Sequence, residues 1–209
     1  MRVVVLGATG ATGVEIVNRA LELGHSVTAF VRSPQKLLDR FGSRVEVVRG
    51  DLLNSIELQN VVRGHDAVLS GFGPRLPVKK GDEDLIQRFT SSLMAAMKLS
   101  GVRRIVVESV AFLFKDSLLP PSYLFGRLLF PGVVADWEAA EAVLQASPLD
   151  WTIVRPPRLT DKPRRNRYRF REGHLPRFAF SISRADVADF MVRTLENERY
   201  VGKIVGIAD

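Results

Sequence analysis

The apolar positions of this chain form short unbroken runs, separated by longer stretches with helical spacing. Val3, Val4, Val5 and Leu6 follow one another without alternation, as in a strand covered on both faces. Val14, Ile16, Val17, Ala20, Leu21 and Leu23 then predict a helix with a broad apolar face, closed by Gly24. Residues 26–31 predict a second strand and 44–48 a third. Asn54, with Glu57 three residues later, has the form of a capping box and starts a helix that Gly64 ends. Further strands are predicted over 66–70, 104–108 and 151–154, with helices over 85–99 and 136–146 between them. The polar stretch 75–84 reads as a loop. Ser183 caps a last long helix with Asp186 in its first turn, and 203–207 reads as a final strand.

Six strands alternating with helices, with no repeat and no linker, predict an α/β fold. Right-handed crossovers then make it a single doubly wound parallel sheet, one domain over residues 1–209. Two segments break the alternation. Residues 112–134 are rich in Leu and Phe and broken by Pro120, Pro121 and Pro131. They suit a pocket wall for a flat apolar substrate, a dimer interface or a membrane-surface contact. Residues 167–171 read Arg-Tyr-Arg-Phe-Arg, a period of two that puts Tyr168 and Phe170 on one face and the arginines on the other. Pairing with 178–182 across Gly173 would make a small C-terminal hairpin extension. Its cationic face would lack stacking rings, so a solvated hairpin is expected rather than a nucleic-acid site.

At 209 residues, with 46% apolar and 25% charged residues, the composition is that of a globular protein. No apolar run reaches the length of a membrane span. The first residues carry no signal-peptide pattern and there are no cysteines, so a cytoplasmic location is expected. His25, His65 and His174 are scattered and suggest no metal site. The net charge of +7 suits an anionic ligand such as a phosphorylated cofactor.

The chemistry is most legible where the first strand ends. Gly7, Gly10 and Gly13 fall between that strand and the first helix, the order that makes a pyrophosphate socket. Gly7 serves the tight turn, Gly10 the approach of the phosphates, and Gly13 close packing of the helix on the strand. Beyond the second strand, where an NAD site usually has a carboxylate, stand Arg32 and then Lys36. Two cations suit the 2′-phosphate of NADP(H), although Arg32 also reads as a solvated loop charge. Asp51 either accepts from an adenine amino group or caps its own loop. Gly71 and Gly73 after the fourth strand, and Ser109 after the fifth, reach the edge where open α/β sheets bind ligands.

With these motifs in place, the sequence resembles the atypical short-chain dehydrogenase/reductases, NAD(P)-binding Rossmann proteins that include the NmrA-like redox sensors. The resemblance rests on Gly-Ala-Thr-Gly-Ala-Thr-Gly from Gly7, Val-Arg-Ser-Pro-Gln-Lys from Val31, Gly-Asp-Leu from Gly50, Arg155-Pro156-Pro157, and Ile-Ser-Arg-Ala-Asp-Val-Ala from Ile182. Ser109-Val-Ala-Phe-Leu-Phe and the Pro-Pro pair are most similar to the biliverdin reductase B/flavin reductase group. The resemblance implies that Thr9, Gly10, Ala11 and Thr12 meet the pyrophosphate, and that Arg32 and Lys36 meet the 2′-phosphate. Asp51 and Leu52 would flank the adenine. Ser70, Gly71, Phe72 and Gly73, with Ser109, Val110, Pro156 and Pro157, would surround the nicotinamide half. Where that group has a histidine after the Pro-Pro pair, this chain has Arg158, which can hold an anionic substrate but shuttles no proton near neutral pH.

The Tyr-x-x-x-Lys dyad of catalytic short-chain dehydrogenases has a partial counterpart in Tyr123 and Arg127, fourteen residues beyond Ser109. Ser109, Arg158 and Tyr123 are therefore the catalytic candidates. The expected function is NADPH-dependent hydride transfer to a flat conjugated acceptor such as a flavin, quinone or tetrapyrrole, by a monomer or homodimer. The alternative is a non-catalytic NADP(H) redox sensor.

Overall fold

The structure, a computed structural model, describes residues 1–74, 80–114, 128 and 130–209. Among these, eight strands form one sheet. In chain order the ten strands among the described residues begin with β1 (Arg2–Leu6), β2 (Ser26–Val31), β3 (Glu46–Arg49), β4 (Ala67–Ser70), β5 (Arg104–Glu108) and β6 (Asp150–Arg155). β7 (Arg158–Thr160), β8 (Arg169–Glu172), β9 (Ser181–Ser183) and β10 (Lys203–Ala208) follow. The order across the sheet is β3-β2-β1-β4-β5-β6-β10-β8, parallel except for β8. The chain reverses its direction of winding between β1 and β4. That reversal opens a crevice at the carboxyl ends of the strands.

Helices cover both faces because the strands are apolar on both. On one face α1 (Ala11–Glu22), α2 (Gln35–Phe41) and α6 (Arg184–Arg193) bury Ile16, Val17, Leu37 and Phe190 against Val3, Val5 and Val106. On the other, α3 (Ser55–Val62), α4 (Leu85–Ser100) and α5 (Pro131–Gln145) bury Leu58, Leu93 and Leu144 against Val4, Val68 and Ile105. The N-cap half of the capping box forms, with Asn54 Oδ1 accepting from the N–H groups of Ile56 and Glu57. Glu57 accepts from the Asn54 amide and from the Asp51 N–H rather than from the Asn54 N–H.

α5 starts five residues before the pattern suggested, because Pro131 begins it. Proline lacks only an N–H that a first helical turn leaves unpaired anyway, and its φ is preset for helix. The expected pairing of 167–171 with 178–182 does not occur. β8 instead joins the main sheet antiparallel to β10, with Phe170 opposite Ile207, and β9 pairs parallel with β7. The small extension is thus the β7–β9 pair.

The aromatic face of β8 decides this. The Phe170 ring lies 5.5 Å from Phe190 and 6.0 Å from Tyr200, and Tyr168 lies 6.0 Å from Phe190. A free two-stranded hairpin would leave those rings in water. The arginine side does face outward, with Arg169 and Arg171 exposed. The expected loop over 75–84 and the apolar segment over 112–134 fall partly outside the described residues, and Tyr123 wholly so.

Candidate functional site

The glycine turn is built as its spacing implied. Gly7 has φ +74°, and a Cβ there would come within 2.7 Å of the Phe72 backbone. A Cβ on Gly13 would collide with the carbonyl of Gly7, so only glycine lets α1 lie this close to β1. Gly10 donates its N–H to the Gly7 carbonyl at 2.8 Å and stands at the N-cap of α1. It offers no capping side chain, and the first turn of α1 holds no acidic residue. Helix geometry leaves the N–H groups of Ala11, Thr12 and Gly13 without intrahelical acceptors, so this end of α1 suits an anion.

A cavity of about 330 Å³ lies at the reversal between β1 and β4. Of the residues singled out from the sequence, Gly7, Thr9, Gly10, Arg32, Asp51, Leu52, Gly71, Phe72 and Gly73 line it. Leu53, Pro74, Asp82 and Leu85 also line it and were not anticipated. Asp51 caps its own loop, with Oδ1 accepting from the Leu53 N–H at 3.0 Å, and the residue also lines the cavity. Lys36 is exposed on α2 and is not among the residues that line the cavity. Ala11 is exposed on the first turn of α1. Beside Phe72 the wall continues into an apolar cluster of Ile86, Leu113, Val134, Trp137 and Ala140, with Val110 packed on it.

Several expected site residues are buried behind the cavity wall. Ser70 is fully buried, and its hydroxyl accepts from the Phe72 N–H. Thr12 is 5% exposed, and its hydroxyl donates to Glu108 Oε1 at 3.2 Å. Ser109 donates its hydroxyl to Glu141 Oε1 at 2.5 Å, and Arg155 closes on both oxygens of the same carboxylate at 3.0 and 2.5 Å. The Arg155 guanidinium also lies 4.6 Å over the Phe114 ring. Pro156 accepts from the Ala111 N–H and is buried, Pro157 is half-buried, and Arg158 is exposed at the start of β7.

Glu108, Glu141 and Arg155 were not picked out as site residues. A signal existed for each carboxylate. Glu108 closes the apolar run Ile105-Val106-Val107, where a central parallel strand buries its side chains. Glu141 stands one helical turn after Trp137 and three residues before Leu144, on the buried side of α5. A second buried acid on α5, Asp136, accepts from the N–H groups of Ile86 and Gln87 and so caps α4 from outside. Burial pushes the Asp136 carboxyl above its ordinary range, and those N–H groups oppose the shift. Among the described residues no group of three or more His, Asp or Glu is placed to hold a metal ion. No helix there is long and apolar enough to cross a membrane.

A match to a family described as NAD(P)H-binding spans residues 7–198. The chain belongs to the NAD(P)H-binding family. An uncharacterized chloroplastic protein of Arabidopsis thaliana is 33% identical over 217 aligned positions, which cover 99% of this chain and 76% of the relative. The photosystem II assembly factor Ycf39 of Synechocystis is 29% identical over 112 positions, covering 53% of this chain and 34% of that protein. The fold is shared with a wide-type short-chain dehydrogenase/reductase from Veillonella parvula solved in complex with NADP. That likeness has a TM-score of 0.84 at 20% identity and covers 100% of this chain and 94% of the other.

The residues present fit the cofactor of an NAD(P)H-binding protein. The side-chain-free cap and unpaired first-turn N–H groups of α1 suit a pyrophosphate. Arg32 supplies a cation at the end of β2, and the cavity wall turns apolar toward Phe72, Leu53 and Leu85.

Proposed function

We propose that this protein is an NADPH-dependent reductase that passes a hydride to a flat conjugated acceptor such as a flavin, quinone or tetrapyrrole. One observation carries the reading: a single cavity joins the glycine turn and Arg32 to an apolar wall at Phe72. The bound dinucleotide supplies the hydride from its nicotinamide. The N–H groups at the start of α1 would hold its pyrophosphate, with Thr9 and Gly10 beside it. Arg32 would take the 2′-phosphate, and its charge leaves NADH the weaker ligand. Asp51 and Leu52 would border the adenine. Gly71, Phe72 and Gly73 would carry the nicotinamide half, with a flat ring system received against Phe72, Leu53 and Leu85 of the cavity wall.

The proton chemistry asked of the chain is modest. The Ser109 hydroxyl already donates to Glu141, so its oxygen is left to accept hydrogen bonds. Arg158, exposed at the mouth of β7, would hold an acidic tail of the substrate. A conjugated acceptor takes its proton from water, so alignment with the cofactor supplies most of the rate. Likeness to biliverdin reductase B belongs to this reading through the same Ser109 and Pro-Pro segments.

The engagement of Ser109 with Glu141 favours a second reading, a non-catalytic NADP(H) sensor. The name of the Ycf39 relative, an assembly factor, is in keeping with it. Stopped-flow oxidation of NADPH against flavins, quinones and biliverdin separates the two. Turnover with at least one acceptor is expected. Tight NADPH binding without turnover on any of them would overturn the reductase in favour of the sensor.

A further inference from the structure

A carboxyl group lies directly behind the anion-binding end of α1. Glu108 ends β5 at the sheet edge facing the glycine turn, is 8% exposed, and accepts from the Thr12 hydroxyl at 3.2 Å. Thr12 is the second residue of α1, so its backbone N–H is one of those turned toward the pyrophosphate position. The other charged group acting on Glu108 is Arg184, which opens α6 and is itself paired to Asp161 at 2.6 Å. Facing Glu108 in the sheet is Val154 of β6, and β4 ends at Ser70 beside Val107, so neither neighbouring strand sets a charge directly opposite it. Glu141 and Arg155 neutralise each other through α5, on the sheet face away from α1 and α6.

We propose that Glu108 is a proton-linked positioning residue of the dinucleotide site, taking up a proton when the cofactor's pyrophosphate settles on α1. The proposal rests on the cofactor reading above and not on turnover. An ionised Glu108 and the pyrophosphate draw on the same positive helix end from opposite sides, at short range and away from water. Both negative charges cannot be accommodated as well as one. With the pyrophosphate bound, the neutral carboxyl is favoured and keeps the Thr12 hydroxyl, and hence the first turn, in place.

Burial already pushes the Glu108 carboxyl up to about 7, against a smaller lowering by the Thr12 hydrogen bond and Arg184. Bound anion raises it further. The sign follows: affinity is fullest where Glu108 is protonated in the free protein, and falls as pH rises through the bound value.

The test is the dissociation constant of NADPH, and of NADH, which lacks a titrating 2′-phosphate, between pH 6.5 and 9. It is joined to calorimetry in buffers of different ionisation enthalpy to count protons taken up. For the natural chain both dinucleotides should weaken by about fivefold or more over that range, with proton uptake near neutral pH. Glu108→Gln keeps an acceptor for Thr12 without the ionisation, and should bind with flat pH dependence and no linked proton. Thr12→Val removes the donor and should move the midpoint to higher pH.

Equal pH profiles and proton counts in the natural chain and Glu108→Gln would overturn the proposal. So would a Thr12→Val midpoint that stays in place. Binding with the expected proton linkage but no turnover would remove only the reductase reading. Failure of both dinucleotides to bind at any pH would overturn the proposal and the cofactor reading together.

Discussion

The Ser109 hydroxyl points 2.5 Å from Glu141 Oε1, in a pocket where both residues are less than 5% exposed. A serine that the motif would assign to substrate is here part of the packing between β5 and α5. Arg155 completes the arrangement from the end of β6, so three elements at the sheet edge are tied through one carboxylate.

Glu141→Ala should therefore be among the more damaging substitutions in the chain. It leaves Arg155 as a buried, unpaired cation and Ser109 without its acceptor, at a cost of about 3–5 kcal/mol. Glu141→Gln, which keeps an acceptor for Ser109, should cost less. Urea unfolding of both variants checks the order, and equal stability of Glu141→Ala and the natural chain would refute it.

The glycines of the first turn and the glycine after α1 should respond differently to the same change. Gly13→Ala sets a methyl against the Gly7 carbonyl, forces α1 away from β1 by overpacking worth about 1–3 kcal/mol, and disrupts NADPH binding. Gly24 has φ +80° but open space around its Cβ position. Gly24→Ala should cost about 1–2 kcal/mol from backbone strain alone and leave the NADPH dissociation constant unchanged. Fluorescence titration alongside thermal unfolding separates the two effects.

Arg32→Ala tests the choice of cofactor. Loss of a charge-assisted contact to the 2′-phosphate, about 1.5–3 kcal/mol, should weaken NADPH by roughly tenfold to a hundredfold. NADH, with no phosphate there, should bind as before. An equal loss for both dinucleotides would mean that Arg32 shapes the cavity rather than reads the phosphate.

Glu108 should also make folding stability depend on pH. Its carboxyl is raised to about 7 in the folded chain, against 4.5 as its ordinary value. The folded state thus holds the proton more tightly than the unfolded state. Stability is greatest below the unfolded value and declines as pH rises from there through about 7, then levels. The natural chain should lose about 2–3 kcal/mol more than Glu108→Gln between pH 5 and 8. Parallel denaturation curves at the two pH values for both proteins would count against a buried, ionisable Glu108.

The glycine-turn end of the cavity was legible because its signals are local. Gly7, Gly10 and Gly13 announce a backbone geometry within seven residues, and Arg32 follows a strand whose end the pattern marks. The β8 pairing was not legible, because period two in Arg-Tyr-Arg-Phe-Arg says which face is apolar and not which strand will cover it. Phe190 and Tyr200, far along the chain, made that choice by offering rings to Phe170. Glu108 and Glu141 were passed over for a related reason: a carboxylate on an apolar face is informative only once its partner is known. Thr12 and Arg155 are those partners, separated from them by 96 and 14 residues.

By itself, then, the sequence determined the alternation of strand and helix, the glycine turn at the first crossover, and the cation beyond the second strand. Each follows from spacing, steric freedom or charge within a few neighbouring residues. Only the tertiary structure decided that the Ser109 hydroxyl donates to Glu141, that Thr12 turns inward to Glu108, and that β8 closes the sheet beside β10. Those outcomes depend on which groups must share a water-poor interior, and burial is set by the packing of the whole chain.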